Sequence, residues 1–421
     1  MRLLFYTVKF GKCKCVIVPQ MSKCGTLRRL TGWRGRVIME NLNILLVSTQ
    51  DYLHHPIPSR HHNIFEELAT RHTVHVPHFH ISDGPTRDTR LEVHEATQFP
   101  LKNPVLHYTM NAPYHYLTIR DILRHYDIDV IVGAHVLAGT AMVRAAHDFT
   151  IPVIFDLKDW FPDSAAAYYK NAFVRKTVHD TVAAITAYNL DNSDVITTVS
   201  PGLVKKLHTW RGYTPRLITN GVNTDYFKPM SGAPVRKRLG IPDDAPVIGF
   251  AGAVERWYAL DQVIRAFSTL LKQRPDAYLL IVGDALFTRY KADLQDLVIA
   301  LRLEHRVMFT GAVEYVNLPE YIAAMDVCLI PLLPEQWIDI ALPNKYFEYS
   351  ACGKPILSTP IPDVIDMNEG NVYIYRDYKT DFIRKINDIL NADRQYHINV
   401  EQHSWKRKAE AFENIFKEAV I

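Results

Sequence analysis

The chain is short of cysteine, of long apolar runs, of glycine-rich phosphate motifs and, at its start, of acid. Its 421 residues hold five cysteines, and only Cys328 and Cys352 lie beyond residue 24. That number builds no disulfide framework and fits a reducing cytoplasm. No apolar run approaches the roughly 20 residues that a membrane-spanning helix needs. Neither G-x-G-x-x-G nor G-x-x-x-x-G-K-S/T occurs, so the usual dinucleotide fingerprint and the P-loop are excluded. Histidine is plentiful at 19 residues, with pairs at His54/His55 and His61/His62 and a series at His72, His75, His78 and His80. No HExxH or zinc-type Cys/His spacing accompanies them, so no metal is expected.

Acid is missing before Glu40, where nine basic side chains stand alone: Arg2, Lys9, Lys12, Lys14, Lys23, Arg28, Arg29, Arg34 and Arg36. Removing those nine from the 48 basic residues leaves 39 against 45 acidic ones, a net of −6 where the whole chain has +3. A mildly acidic body gives no electrostatic footprint for nucleic acid. The basic segment, with Cys13, Cys15 and Cys24, reads as a zinc-binding tail, a membrane-surface anchor, a targeting peptide, or sequence upstream of an initiator at Met39. It shows no helical or strand periodicity.

What is present is alternation. From Asn43 onward, short β-branched runs alternate with amphipathic stretches, the pattern of parallel sheets covered by helices. Strands are predicted at Asn43–Ser48, Thr73–Val76, Val105–Tyr108, Val130–Gly133, Val153–Asp156, Val195–Val199 and Leu217–Thr219. A second series follows at Val247–Ala251, Tyr278–Val282, Val307–Thr310, Val327–Ile330 and Pro355–Ser358. Between the two series, residues 220–246 have the Gly/Pro content of a linker. The expected division is an extension over 1–38, a Rossmann-like domain over 39–222, a linker over 223–245, a second Rossmann-like domain over 246–395, and a crossover helix over 396–421. Two such sheets facing each other place a ligand between their carboxyl ends.

The strongest local signal is Pro343-Asn344-Lys345-Tyr346-Phe347-Glu348, running on to Gly353 and Pro355. A helix starting after Pro343 offers free amides and a positive dipole end to a phosphate, and Lys345 adds a cation. Glu348, three residues on, can accept hydrogen bonds from a ribose diol; the same pair also reads as a surface i,i+3 ion pair.

This stretch resembles the donor-binding helix of glycosyltransferase family four. Several others resemble that family in the right order: Asp194–Ser200, Ile218–Asn223 with Tyr226-Phe227-Lys228-Pro229, Leu279–Asp284, Val307–Gly311, Leu318–Tyr321 and Asp326–Pro331. The resemblance spans Asn43 to the C-terminus. It implies an α/β GT-B fold, with two Rossmann-like domains across a cleft and a C-terminal helix crossing back. It also implies metal-independent, retaining transfer of a sugar from a nucleotide-diphosphate donor to a hydroxyl acceptor, with no cofactor. Lipid-linked acceptors and peripheral contact with the inner membrane face accompany many relatives, whereas donor base, acceptor and oligomeric state are left open.

By the same resemblance, His135, ending the strand of Asp129–His135, lies near the donor sugar, although a strand-end histidine is equally a polar end group. Asp159, in the acidic and aromatic loop Asp156–Asp163, contacts substrate or caps the following helix. Lys345, Asn344 and Glu348 hold the nucleotide. Independently of the resemblance, Arg60 opens the first helix on the side of the expected cleft, where it can meet the acceptor or a phosphate. Two departures stand out. The family often carries a second glutamate, separated by seven residues from the one matched by Glu348; Ile340 stands at that place, eight positions earlier, with Asp339 adjacent as a substitute. Its Arg and Lys pair for the diphosphate is reduced, in Gly252–Tyr258, to Arg256. These gaps leave a sugar-nucleotide epimerase and a non-catalytic GT-B binding protein as alternatives.

Overall fold

The β-branched runs become strands in nearly every predicted place. The computed structural model describes residues 7–10, 13–16, 41–48, 50–55, 57–167, 169–285, 288–334, 337–392, 394–396 and 398–420. By contact the chain divides into two units, Met1–Met39 and Glu40–Ile421. In the first, β1 (Thr7–Phe10) pairs antiparallel with β2 (Cys13–Val16). This corrects the expectation of a segment without strand character. Cys24 and Met39 lie outside the described residues.

The second unit holds two all-parallel sheets. One contains β3 (Asn43–Val47), β4 (Thr73–His78), β5 (Glu92–Glu95), β6 (Val130–Gly133), β7 (Val153–Leu157), β8 (Val195–Thr198) and β9 (Arg216–Leu217), in the order β5-β4-β3-β6-β7-β8-β9. The other contains β10 (Val247–Ala251), β11 (Tyr278–Val282), β12 (Val307–Gly311), β13 (Val327–Ile330), β14 (Ile356–Ser358) and β15 (Val372–Ile374), in the order β12-β11-β10-β13-β14-β15. In each sheet the chain first winds outward from a central strand and then reverses. The reversals fall between β3 and β6 and between β10 and β13, the crevices where doubly wound sheets bind ligands. Every residue of β6, β7, β10 and β13 is buried, as strands covered by helices on both faces require.

One predicted strand is a helix. Val105–Tyr108 lies within Pro104–Met110, where the Asn103 side chain accepts from the Leu106 amide and Pro104 fills the first turn. An Asn cap followed by Pro starts a helix more strongly than a four-residue apolar run starts a strand. The linker region 220–246 also holds a short helix, Ala233–Leu239.

After the second sheet the chain returns to the first. The Val222 amide donates to the His403 carbonyl, and the Trp405 amide donates to the Val222 carbonyl. The final helix, Trp405–Val420, then lays Phe412 against Phe65 and the Arg60 guanidinium of the helix Arg60–Leu68.

Candidate active site

The carboxyl end of the first sheet is built around two buried polar centres. β6 ends at Gly133, and His135 caps the next helix, Val136–Phe149. Its Nδ1 accepts from the amides of Leu137 and Ala138 at 3.1 and 3.0 Å. That arrangement puts the ring proton on Nε2 and makes this nitrogen a donor. The ring stacks on Tyr108 with centroids 3.6 Å apart. Burial, helped by the neighbouring His115 and Lys158, lowers the His135 pKa to about 3, so the imidazole stays neutral.

The second centre is Asp156 on β7, which is fully buried. Its carboxylate takes Arg60 Nε at 2.9 Å, His61 Nε2 at 3.1 Å and Thr197 Oγ1 at 2.8 Å. Burial alone raises this carboxyl, but Arg60 and His61 outweigh it and hold it well below the usual carboxylate range. Just past β7, Lys158 and Asp159 reach the cleft. Burial lowers Lys158 to about 8 and raises Asp159. By accessible area Asp159 is exposed, yet it sits low enough between the walls of the cleft to lose much of its hydration.

The second sheet presents a different chemistry. Helix Asn344–Ala351 is pinned under the end of β10 by Tyr349, whose hydroxyl accepts from the Ala251 amide at 2.8 Å. Lys345, 8% exposed, donates to the Tyr258 hydroxyl at 3.1 Å and lies over the Tyr258 and Phe250 rings, 4.3 and 5.2 Å from their centroids. Among the described residues no carboxylate lies within ion-pair distance of it. Gly252 makes room for this ammonium, because a Cβ there would sit 2.3 Å from Lys345 Nζ; its φ of +141° also suits glycine. Glu348, also 8% exposed, accepts from the Tyr315 hydroxyl at 3.3 Å. Burial pushes its carboxyl up against the opposing pull of Lys345 and Tyr315. Neither side chain is a surface group, and the pair makes no direct ion bridge.

Between the sheets lies a cavity of about 540 Å³, lined by Lys158, Asp159, Trp160 and Asn220 on one side and by Trp257, Tyr258, Trp337 and Leu342 on the other. Its floor is an interdomain contact. Ser200 Oγ, which caps the helix Pro201–Arg211, donates to the Ile340 carbonyl at 2.7 Å. The Gly202 amide at the same helix start donates to the Asp363 carboxylate at 3.0 Å.

Known proteins match this arrangement in both halves. A model described as "Glycosyltransferase Family 4" matches residues 61–226, and one described as "Glycosyl transferases group 1" matches residues 245–392. The chain belongs to glycosyltransferase family four. It is 30% identical over 172 residues to a GDP-mannose-dependent monoacylated alpha-(1-6)-phosphatidylinositol monomannoside mannosyltransferase of Corynebacterium glutamicum, covering 39% of this chain and 44% of that one. The chain spans about half the length of the curated relatives it matches. Among solved structures, sucrose-phosphate synthase from Thermosynechococcus elongatus superposes with a TM-score of 0.72 at 18% identity, over 90% of this chain and 98% of that one. Anabaena HepE in complex with UDP-glucose gives 0.62 at 17% identity, over 90% and 95%. These likenesses establish the GT-B fold.

Within this family-four chain, the expected residues do not all converge. Lys345 and Glu348 are both buried on the same short helix, with Asn344 exposed at its start. Arg60 does not face an acceptor: it is 4% exposed and spends its guanidinium on Asp156 and the Thr219 carbonyl. Arg256 does not reach the diphosphate region, because it lies exposed over Tyr290 and pairs with Asp293. Asp339 does not replace the family glutamate. Its side chain is exposed and lines no part of the cavity, while neighbouring Ile340 packs with the core of the first domain. The position that many relatives give to a carboxylate is used here as an apolar contact between domains. Lys158, Tyr258 and Tyr315 were missed. Only Lys158 left a trace in the sequence, as a cation just past a strand end and beside Asp159.

Proposed function

We propose that the chain transfers a sugar from a nucleoside-diphosphate donor to a hydroxyl acceptor, with retention and without a metal in the transfer step. One observation carries this reading: Lys345 is a buried ammonium faced by ring surfaces and a phenol, with no carboxylate among the described residues within ion-pair distance and only the field of Glu348 one turn away. Removing a cation from water without an anion is costly, and a diphosphate at the start of the same helix supplies the missing charge. Glu348, one turn further in, accepts the ribose hydroxyls. As the bond from the anomeric carbon to the diphosphate oxygen breaks, negative charge grows on the leaving phosphate, where Lys345 and the helix amides stabilise it. His135 donates Nε2–H to a sugar hydroxyl and takes no part as a base, because its lone-pair nitrogen Nδ1 is held by the Leu137 and Ala138 amides. Asp159 contacts the acceptor from the opposite wall, and closure of the domains keeps water from the donor.

The acceptor class follows the relatives only in outline. The corynebacterial relative's name places its acceptor in a phosphatidylinositol lipid, which supports a lipid-linked hydroxyl reached from the membrane surface. Among the described residues no helix is long and apolar enough to cross a membrane.

The test is thermal unfolding with UDP, GDP and ADP, for the wild type and for Glu348→Ala. A nucleotide present at 100 times its Kd adds about 2.7 kcal/mol of stability. One base is expected to raise the melting temperature in the wild type and not in the variant, and its sugar nucleotides are then assayed for transfer. Donor conversion without an acceptor would identify an epimerase instead, and no response to any nucleotide would overturn the donor-site assignment.

A further inference from the structure

Three histidines converge at the carboxyl end of the first sheet, beyond the groups used above. His54 lies in the turn after β3, His78 ends β4, and His80 stands two residues further along the same extended chain. One ring nitrogen of each lies within 4.8 Å of the others, and no other such group of three occurs among the described residues. The ring centroids are 5.1 Å apart for His54 and His78, 4.7 Å for His54 and His80, and 5.4 Å for His78 and His80. An ion bonded tetrahedrally to three imidazoles at about 2.1 Å sets their centroids about 5 Å apart. The rings are tilted by 49°, 32° and 44° and do not stack face to face.

Asp51 flanks two of the three rings. It is 2% exposed, and its Oδ1 lies 3.2 Å from His54 Nδ1 and 3.0 Å from His78 Nε2 and also accepts from the His54 amide at 3.0 Å. Its Oδ2 is fixed by the amides of Ile81 and Ser82 at 2.9 and 3.0 Å. On the outer side of His78, Nδ1 meets Glu95 Oε2 at 3.0 Å, the carboxylate contact that turns a ligating imidazole toward its ion. His80 brings ring nitrogens with no hydrogen-bond partner among the described residues. His54 and His80 are only partly buried, which leaves an entry path.

We propose that His54, His78 and His80 bind one divalent transition-metal ion of the zinc class, with water in the fourth position and Asp51 orienting the His54 and His78 rings. The ion draws the three nitrogens together and ties the loop after β3 to the end of β4, beside the acceptor half of the cleft. Its role is to hold those loops, and it takes no part in sugar transfer.

The experiment uses the full-length protein freed of any affinity tag. Bound zinc is counted by elemental analysis after dialysis, and Co2+ is titrated while the visible spectrum is recorded. One ion per chain and the strong visible bands of tetrahedral Co2+ are expected. His80→Ala, at a partly exposed position, should keep the wild-type circular dichroism and lose affinity by about 100-fold or more. His54→Ala should behave alike. Substoichiometric zinc with no tetrahedral Co2+ spectrum in the wild type would overturn the proposal, as would unchanged binding in both variants.

Discussion

The two halves of the GT-B unit share one sheet design and treat buried charge in opposite ways. In the first half, Asp156 is surrounded by Arg60, His61 and Thr197, with its carboxylate satisfied from three directions. In the second half, Lys345 and Glu348 are equally far from water, yet among the described residues each has a single phenol as its hydrogen-bond partner. A buried charge satisfied by the protein holds the fold together, whereas one left short of partners is kept for a ligand. The difference sorts residues that look alike in the sequence: Arg60 and Lys345 both open helices beside the cleft, and only the first meets a carboxylate at ion-pair distance among the described residues.

The largest expected effect breaks the satisfied side. Arg60→Ala leaves Asp156 buried without its main counter-charge and should cost about 3–5 kcal/mol in urea unfolding. The same pair sets a pH dependence. Because Asp156 is depressed in the folded state, its stabilisation is present above the unfolded carboxyl value of about 4 and is lost as pH falls below it. Melting temperatures measured downward from about pH 5 should fall faster in the wild type than in Arg60→Ala.

Next is the shape of the unsatisfied side. Gly252→Ala forces a Cβ into Lys345 and strains a backbone at φ +141°. A loss of about 1–3 kcal/mol in stability is expected, together with loss of the nucleotide response in the same melting assay. A smaller effect is expected at Lys158. Its charge disappears as pH rises through about 8, so nucleotide affinity measured by calorimetry should weaken by a few-fold across that pH in the wild type and stay flat in Lys158→Met. Smallest is Ser200→Ala, which removes both a helix cap and the bond to the Ile340 carbonyl, at about 1 kcal/mol in thermal unfolding.

Much of the fold was legible because the central strands are continuous apolar runs buried on both faces. In the two parallel sheets, the strands that escaped lack this signal. β5 is Glu-Val-His-Glu on an exposed edge, and β15 has three residues at the other sheet's edge. In the site, that Lys345 and Glu348, both buried, share one side of a short helix is what helical spacing alone requires. The directions of Arg60, Arg256 and Asp339 were not legible, since each depends on a partner distant in sequence: Asp156, the face of the helix Tyr290–Ala300, and the docking of Ile340 on the first domain. The histidines stood out in the sequence, but the meeting of His54 with His78 and His80 did not, because it depends on the turn after β3 lying beside the end of β4.

The most direct test of the contrast between the halves is Lys345→Met, with unfolding followed in the absence and presence of the nucleotide that stabilises the wild type. The account predicts a ligand-free melting temperature equal to or above that of the wild type, because an unmatched buried cation is replaced by an apolar side chain of similar reach, and no rise on adding nucleotide. A variant that unfolds several degrees earlier yet still responds to nucleotide would show that Lys345 is a structural charge like Arg60, and the account would be wrong.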